Sequence, residues 1–477
     1  MFINRSDELE HLTERWDSNR GEFFVLYGRR RVGKSHLLAH FADQDDRQGI
    51  LFEASSGTSG DNLIDISREI ARFTGRADHA VQEFTTWRAV FAAFDDICKS
   101  QKAYIILDEF QFIAREEPET GSLINRLVQD NQDNENLFLV ISGSDVSFFS
   151  DEVMGYGATS YGRRTGSLNL QPFRFEHARE FVPAFSIEDQ IRTYAVFGGM
   201  PYYLAGANQA NSLKDAIFQE ILVPGAKLRE EPTFLLAQES KIRDADVYRS
   251  VLRAIAEGKT SSNEVSQRIG RARQVTGHYL DSLEEIGLIF KRFPVTQALA
   301  GNRYFWEIKD PFLRFWFRFV APHESRLVER KRAKKHLSET VMPELDEFVS
   351  IPGFEEVCRQ WAEEKFDEIA SIGSWWGSRK ERQGGGERRN VSYEVDVMGI
   401  DSTSTPVVLG SCKWSSSKHP VDELRKLKVV RDEILEVPDA RLLFFSRSDV
   451  SDELRAEAEK DPLIQVVTIS ELAGSGS

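Results

Sequence analysis

Residues 28–35, GRRRVGKS, place two glycines, a lysine and a hydroxyl at the spacing G-x-x-x-x-G-K-S. Those residue types at that spacing bind nucleotide phosphates. Gly28 and Gly33 let backbone N–H groups curl round an anion with no Cβ in the way. The helix expected to begin at Lys34 turns its N-terminal dipole toward the same charge. The expected cradle is Gly28, Arg29, Arg30, Arg31, Val32, Gly33, Lys34, Ser35 and His36. Lys34 is expected to reach the outer phosphates, and the Ser35 hydroxyl to ligate Mg²⁺. A chance strand-to-helix turn can also carry glycines. The apolar run FFVLY before the loop and the helical pattern after it supply the context that phosphate chemistry needs.

A second pair of candidates stands in YIILDEFQ at 104–111, a short aliphatic strand ending in two acids. Asp108 is expected to hold Mg²⁺ and Glu109 to polarise the attacking water. Taken alone, Asp-Glu at a strand end is also a common helix cap. Farther along, LFLVISGS at 137–144 ends in Ser142-Gly143-Ser144. There Ser142 or Ser144 can sense the γ-phosphate or orient water, or the segment is a plain turn. YGRRTG at 161–166 offers Arg163 or Arg164 to transition-state charge on its own or a neighbouring subunit's phosphate. A surface salt bridge is the ordinary alternative.

Placing these groups requires a scaffold. From 22 to about 175 strands and helices alternate, which implies a parallel sheet with helices on both faces. One strand intervenes in sequence between the loop and Asp108, so the acid is expected on a strand not adjacent to the loop's own. A short amphipathic helix with Leu9, Leu12 and Trp16 precedes the sheet. Residues 176–245 read as a helical lid, broken at Gly198-Gly199-Met200-Pro201.

Residues 246–336 read as a winged helix-turn-helix with an aromatic and basic connector. Between 248 and 303 there are nine Arg and Lys against five acids, a local surplus of positive charge in a chain of net charge −15. Arg268, Arg271 and Arg273 sit where such a motif meets the DNA groove. Winged helices also serve as protein-contact modules. The run RYFWEIKDPFLRFWFRFV at 303–320 suits a core seam, and the basic stretch 326–336 a solvated bridging helix.

The last expected domain, 337–477, opens with a helix around GFEEVCRQW. After a Trp-rich turn at 372–377 come two strands, VSYEVDVMGI and TPVVLGSCKW. By the period of two, Glu394 shares a face with Asp396, and Ser411 with Lys413. An acid and a lysine on adjacent strands, with Glu355 from a helix, is a metal-dependent nuclease arrangement. Ser411 stands where that site wants a carboxylate, so cleavage is expected to be lost unless Glu394 substitutes.

Length and composition set the frame. At 477 residues the chain suggests two to four domains. Its 41% hydrophobic and 29% charged content is that of soluble globular protein. No apolar run reaches the roughly 18 residues of a spanning helix, and the opening MFINRSDELE lacks the layout of a signal peptide. Cys98, Cys358 and Cys412 form no CxxC pair, which fits a reduced cytoplasm. The net negative charge argues against a chain that coats nucleic acid non-specifically.

These motifs together resemble the archaeal-type ATPase family of the AAA+/STAND branch of P-loop ATPases. The opening box Phe2, Arg5, Glu8, Leu9 is similar to that family's, and GRRRVGKS, ILDEFQ, ISGS, YGRRTG, GGMP and DPFLRFWFRF follow in its order. The resemblance implies an α/β fold: a P-loop sheet with a helical lid, a winged helix, and a C-terminal restriction-endonuclease-like domain. It implies ATP at 28–35, Mg²⁺ at Ser35 and Asp108, and water activation at Glu109. It also implies that Glu355, Asp396 and Lys413 descend from a nuclease core, in which members carry Glu where this chain has Ser411. The expected activity is ATP hydrolysis that drives a switch on double-stranded DNA. One alternative is a slow switch controlling a protein partner, and another an ATP-gated endonuclease. The chain is expected to have no membrane partner and to be able to form homo-oligomers.

Overall fold

The computed structural model describes residues 3–44, 47–75, 84–155, 163–239, 242, 244–297, 304–382, 388–417, 419 and 421–474. Phe2, from the expected N-terminal box, and Tyr161 and Gly162 lie outside them. The chain forms two compact units. One comprises residues 1–172, 200–202 and 233–243, and the other 173–199, 203–232 and 244–477. The helical stretch expected at 176–245 is thus divided between them.

The first unit is built on five parallel strands, β1 (Glu22–Tyr27), β2 (Gly49–Glu53), β3 (Ala103–Asp108), β4 (Leu137–Gly143) and β5 (Gly166–Asn169). Their order is β2-β3-β4-β1-β5. β4 therefore separates the loop strand from the Asp108 strand. β1 and β4 are buried along almost their whole length because both faces of a parallel sheet are covered. On one face Phe23, Val25, Ile105 and Leu139 pack with Ile66, Trp87 and Phe94 from the flanking helices. On the other, Phe138 meets Phe41 at 5.3 Å and Trp16 at 5.7 Å. Parallel register brings Tyr27 beside Gly143 and Glu53 beside Asp108, so all the candidate groups emerge at one edge.

The second unit contains three consecutive helices, Ala245–Ala256, Ser262–Ile269 and Arg273–Glu285. They lead into the antiparallel hairpin β6 (Ile289–Arg292) and β7 (Phe305–Ile308). Ser261 and Glu264 form a capping box at the second helix, and Gly270 ends it in the left-handed conformation, which turns the chain tightly into the third. The helix Pro311–Phe319 starts with Asp310 accepting from the Leu313 N–H at 3.1 Å. Phe312, Phe315, Trp316 and Phe319 are all buried, so this aromatic run is core.

A mixed sheet closes the chain: β8 (Ser371–Arg382), β9 (Arg388–Ile400), β10 (Pro406–Lys413), β11 (Arg441–Ser446) and β12 (Ile464–Thr468). Its order is β12-β11-β10-β9-β8. The expected Trp-rich turn at 372–377 lies inside β8 instead. Trp375 is buried in the sheet core while its neighbour Trp376 emerges opposite Glu394, so period-two alternation outweighs the glycines that suggested a turn.

Candidate functional site

The loop after β1 has the conformation its glycines allow. Gly28 has φ +150° and Gly33 φ +100°, and a Cβ on Gly28 would lie 2.6 Å from the Leu170 carbonyl oxygen. Arg31 also takes positive φ, 70°. Lys34 is buried and donates to the Gly28 and Arg29 carbonyls at 3.0 and 3.3 Å. Burial lowers its ammonium pKa, while Glu109 and Asp108 act to hold the charge.

Ser35 Oγ donates to Asp108 Oδ2 at 2.5 Å, which brings together a hydroxyl and a carboxylate from two motifs 73 residues apart. This donor pair suits Mg²⁺, a hard cation that takes oxygen ligands. The other Asp108 oxygen accepts from Ser142 Oγ. Glu109 adopts φ 52°, a strained conformation for a non-glycine residue, and its Oε2 accepts from Ser144 Oγ at 2.7 Å. Ser142 and Ser144 therefore take different partners, one holding the first acid and the other the second. Arg164 lies near enough to Tyr27, at the end of β1, to oppose the rise that burial causes in its phenol pKa. Arg163 is exposed.

Further residues complete the edge. Arg5, buried, donates to Glu8 at 2.7 Å, to the Val32 carbonyl at 3.1 Å and to the Gln171 carbonyl at 2.9 Å. Residues 200–202 return to this unit, where the Arg31 guanidinium lies 4.1 Å from the centre of the Tyr202 ring. Sequence reasoning overlooked five residues. Gln111 donates to Glu109, and Arg115 pairs with Asp145. Glu53, beside Asp108, has its carboxyl raised by burial and by both motif acids. Glu239 carries an Oε2 that is buried with no hydrogen-bond partner. Burial, aided by Asp145 and opposed by Arg29, Arg115 and Lys34, pushes its carboxyl up to about 8. Gln111 and Glu53 lie next to recognisable motifs and were open to inspection, whereas Glu239 belongs to no pattern.

Comparison with known proteins fits this geometry. Residues 2–206 match a family model described as an ATPase domain predominantly from Archaea. The N-terminal part of this chain matches that ATPase family. Residues 316–426 match a second model, of archaeal and bacterial proteins of unknown function. An uncharacterized protein of Methanocaldococcus jannaschii is 29% identical over 424 residues, covering 88% of each chain. One from Haemophilus influenzae is 25% identical over 309 residues, covering 61% of this chain and 66% of its own. A Walker-type ATPase of Pyrococcus abyssi shares the fold with TM-score 0.52 at 19% identity, over 66% of this chain and 96% of that one.

Beyond the ATPase domain, Glu355 and Asp396 come together, but around guanidinium groups. Arg359 Nη1 lies 3.4 Å from Glu355 and donates to the Asp396 carbonyl at 2.9 Å. Arg292 reaches Glu394 at 3.6 Å and Glu355 at 4.0 Å. Asp396 Oδ2 accepts from the Cys412 N–H at 2.7 Å and from Ser411 Oγ at 3.3 Å. Lys413 pairs with Glu423 at 3.0 Å. Burial pushes the Glu355 carboxyl up to about 7, opposed by Arg359 and reinforced by Asp396. These residues do not fit a divalent cation, because two arginines already supply the positive charge. Among the described residues no cluster of three or more acids, histidines or cysteines offers a metal site.

Of the three arginines expected at DNA, Arg268 is tied to Glu257 at 2.7 Å. Arg271 and Arg273 are exposed, with Gln274, Val275 and His278 on the same stretch of surface. No helix among the described residues is long and apolar enough to cross a membrane.

Proposed function

We propose that this chain hydrolyses Mg-ATP and uses the cycle to switch its grip on double-stranded DNA in the cytoplasm. The observation that carries the reading is the convergence of Ser35, Asp108, Glu109 and Lys34 at one sheet edge. The backbone of residues 28–35 and the Lys34 ammonium bind the triphosphate, and Asp108 and Ser35 would hold Mg²⁺, which would supply positive charge against the phosphates. Glu109, steadied by Ser144 and Gln111, orients the attacking water. Arg164, at the same edge, answers charge developing on the γ-phosphate.

The chain path supports coupling. Residues 200–202 and 233–243 belong to the ATPase unit, while the chain on either side of each belongs to the other. A change at the nucleotide is therefore transmitted through short covalent connections. The helices 262–269 and 273–285 with hairpin β6–β7 form a winged helix, and its exposed Arg271 and Arg273 meet the phosphate backbone. Three buried free cysteines suit a reducing compartment. The nuclease-like centre, neutralised by Arg292 and Arg359, is a structural remnant in this reading.

The test is steady-state ATP hydrolysis with and without duplex DNA, alongside Lys34→Ala and Glu109→Gln. Turnover that rises with duplex and vanishes in both variants is expected. Turnover indifferent to duplex overturns the nucleic-acid output and leaves a protein-directed switch. ATP hydrolysis surviving in both variants overturns the assigned site.

A further inference from the structure

Between the aromatic helix Pro311–Phe319 and the C-terminal sheet lies a cluster of cations that the proposed cycle leaves unused. Residues 326–335, RLVERKRAKK, hold six basic residues against one acid, in a chain of net charge −15. They run into the helix Arg330–His336. Ala333 and Leu337 are buried on its inner side, while Arg330, Lys331, Arg332, Lys334 and Lys335 are all exposed. Helical spacing puts Lys331, Lys334 and Lys335 on one face.

This helix is fixed from beneath. Leu327, just before it, is buried. His336 Nε2 lies 2.8 Å from the Phe319 carbonyl oxygen, and its ring centre is 4.5 Å from that of His323. The Arg330 guanidinium rests 4.9 Å from the centre of the Phe218 ring. Slightly upstream, Glu324 pairs with Arg249 of the helix Ala245–Ala256 at 2.9 Å. The cationic helix and the first helix of the proposed winged helix are thus tied within the same unit.

The chain does not balance these charges itself. Arg332 meets Glu329 at 3.5 Å and Lys335 meets Glu339 at 3.7 Å, exposed pairs of a kind that contributes little. Among the described residues Arg326, Arg330, Lys331 and Lys334 make no ion pair. Arg330 with Lys334, and Lys331 with Lys335, are like charges at i and i+4, which destabilise a helix. Arg330 and Lys331 also stand in the first turn, where there is no acid and the helix dipole disfavours cations. An external row of anions relieves all of these repulsions. Duplex DNA is such a row, with one charge per about 1.7 Å of its axis. Lysines on flexible stems suit it, because they act as point charges and need no fixed geometry.

We propose that the helix Arg330–His336 is a second DNA-contact element, whose lysine face neutralises backbone phosphates of the duplex. The assignment rests on the reading that this chain engages duplex DNA. It places sequence-independent affinity on a segment outside the proposed winged helix. Lys331 and Lys334, with no acidic partner to leave, supply the principal contacts. Arg332 and Lys335 join only by giving up Glu329 and Glu339.

The test uses the full chain and a fluorescent duplex, with binding followed by anisotropy across a salt series. Four proteins are compared: wild type, Lys331→Ala with Lys334→Ala, Lys331→Arg with Lys334→Arg, and Arg271→Glu with Arg273→Glu. Thermal unfolding confirms that each is folded. The alanine variant is expected to bind about ten-fold more weakly, with the slope of log K against log salt reduced by about 2. The arginine variant is expected to keep both affinity and slope, which a merely structural role for the lysines would not require. An alanine variant that binds like wild type, while the Arg271 and Arg273 variant loses binding, overturns the lysine face and leaves the winged-helix reading standing. A wild-type chain that binds no duplex overturns both. Lysine-dependent binding to phosphatidylserine vesicles in place of duplex would then assign the face to a membrane surface.

Discussion

Ser144 Oγ lies 2.7 Å from Glu109 Oε2 and donates to it, so the residue that follows β4 holds the candidate water-activating carboxylate that follows the neighbouring strand β3. Gln111 donates to the same oxygen. Glu109 is thereby fixed at a φ of 52° that a glutamate ordinarily avoids. A carboxylate held this firmly is oriented before substrate arrives. Ser144→Ala is expected to lower kcat about ten-fold with little change in KM, because water orientation matters in the transition state and not in binding. Glu109→Gln is expected to lose at least about 100-fold in kcat and to keep ATP affinity. Parallel measurement of kcat and nucleotide Kd checks both. An equal loss of affinity would place Glu109 in binding instead.

The arginines around the helices Ser262–Ile269 and Arg273–Glu285 should not behave alike. Arg268 is engaged by Glu257, which Arg253 also meets at 3.0 Å, whereas Arg271 stands exposed before the third helix. An arginine already paired contributes little to phosphate neutralisation until it leaves its partner. Arg271→Ala is expected to weaken duplex binding and reduce the salt slope by about 1. Arg268→Ala is expected to leave the slope unchanged. A salt titration of all three proteins decides it.

Much of the candidate nucleotide site was legible because its chemistry is local. Gly28, Gly33, Lys34 and Ser35 lie within eight residues, and Asp108 and Glu109 mark a strand end by their own contrast with the apolar run before them. The parallel sheet followed from the alternation of strands and helices between 22 and about 175. What stayed hidden depends on long-range pairing. Nothing in the residues around Glu239 hints that it returns to a pocket with Lys34 and Arg115. Glu355 and Asp396 lie close together; of the arginines among them, Arg292 comes from β6 and carries no spacing that announces it, whereas Arg359 stands four residues after Glu355 on the same helix and was open to inspection. The Trp-rich segment misled because glycines signal turns locally, while a 12-residue strand is decided by its partner.

The arginine-filled centre of the C-terminal domain predicts inertness toward metals and a structural role for the arginines. Mg²⁺ or Mn²⁺ in the absence of nucleotide is expected to leave the thermal midpoint unchanged, and duplex DNA to remain intact under all metal and nucleotide conditions. Arg359→Ala removes the guanidinium between buried Glu355 and the Asp396 backbone. Glu355, its carboxyl already pushed up to about 7, then takes up a proton, so the expected loss is about 1 to 3 kcal/mol, the cost of buried polar groups left without partners. Denaturant titration measures it. Metal-dependent cutting abolished by Asp396→Ala would contradict the assignment.

Glu239 makes stability depend on pH in a direction opposite to that of an ion-paired acid. Its carboxyl is pushed up to about 8 by burial, against an ordinary value of 4.5. Between those values the folded chain keeps a proton that the unfolded chain has released. Stability contributed by this group therefore falls as pH rises from about 4.5 and levels off above about 8, with a slope of at most about 1.4 kcal/mol per pH unit. Glu355, pushed up to about 7, acts with the same sign over a lower window. Between pH 7 and 8 Glu239 contributes the larger share. Glu239→Gln keeps a neutral side chain at all pH values, so its midpoint should decline less across that interval than that of the wild type. The orphaned Oε2 makes the substitution mild near pH 6, where both proteins carry a neutral group there. Parallel denaturant titrations from pH 6 to 9 give the comparison, and identical profiles would mean that Glu239 titrates as an ordinary surface acid.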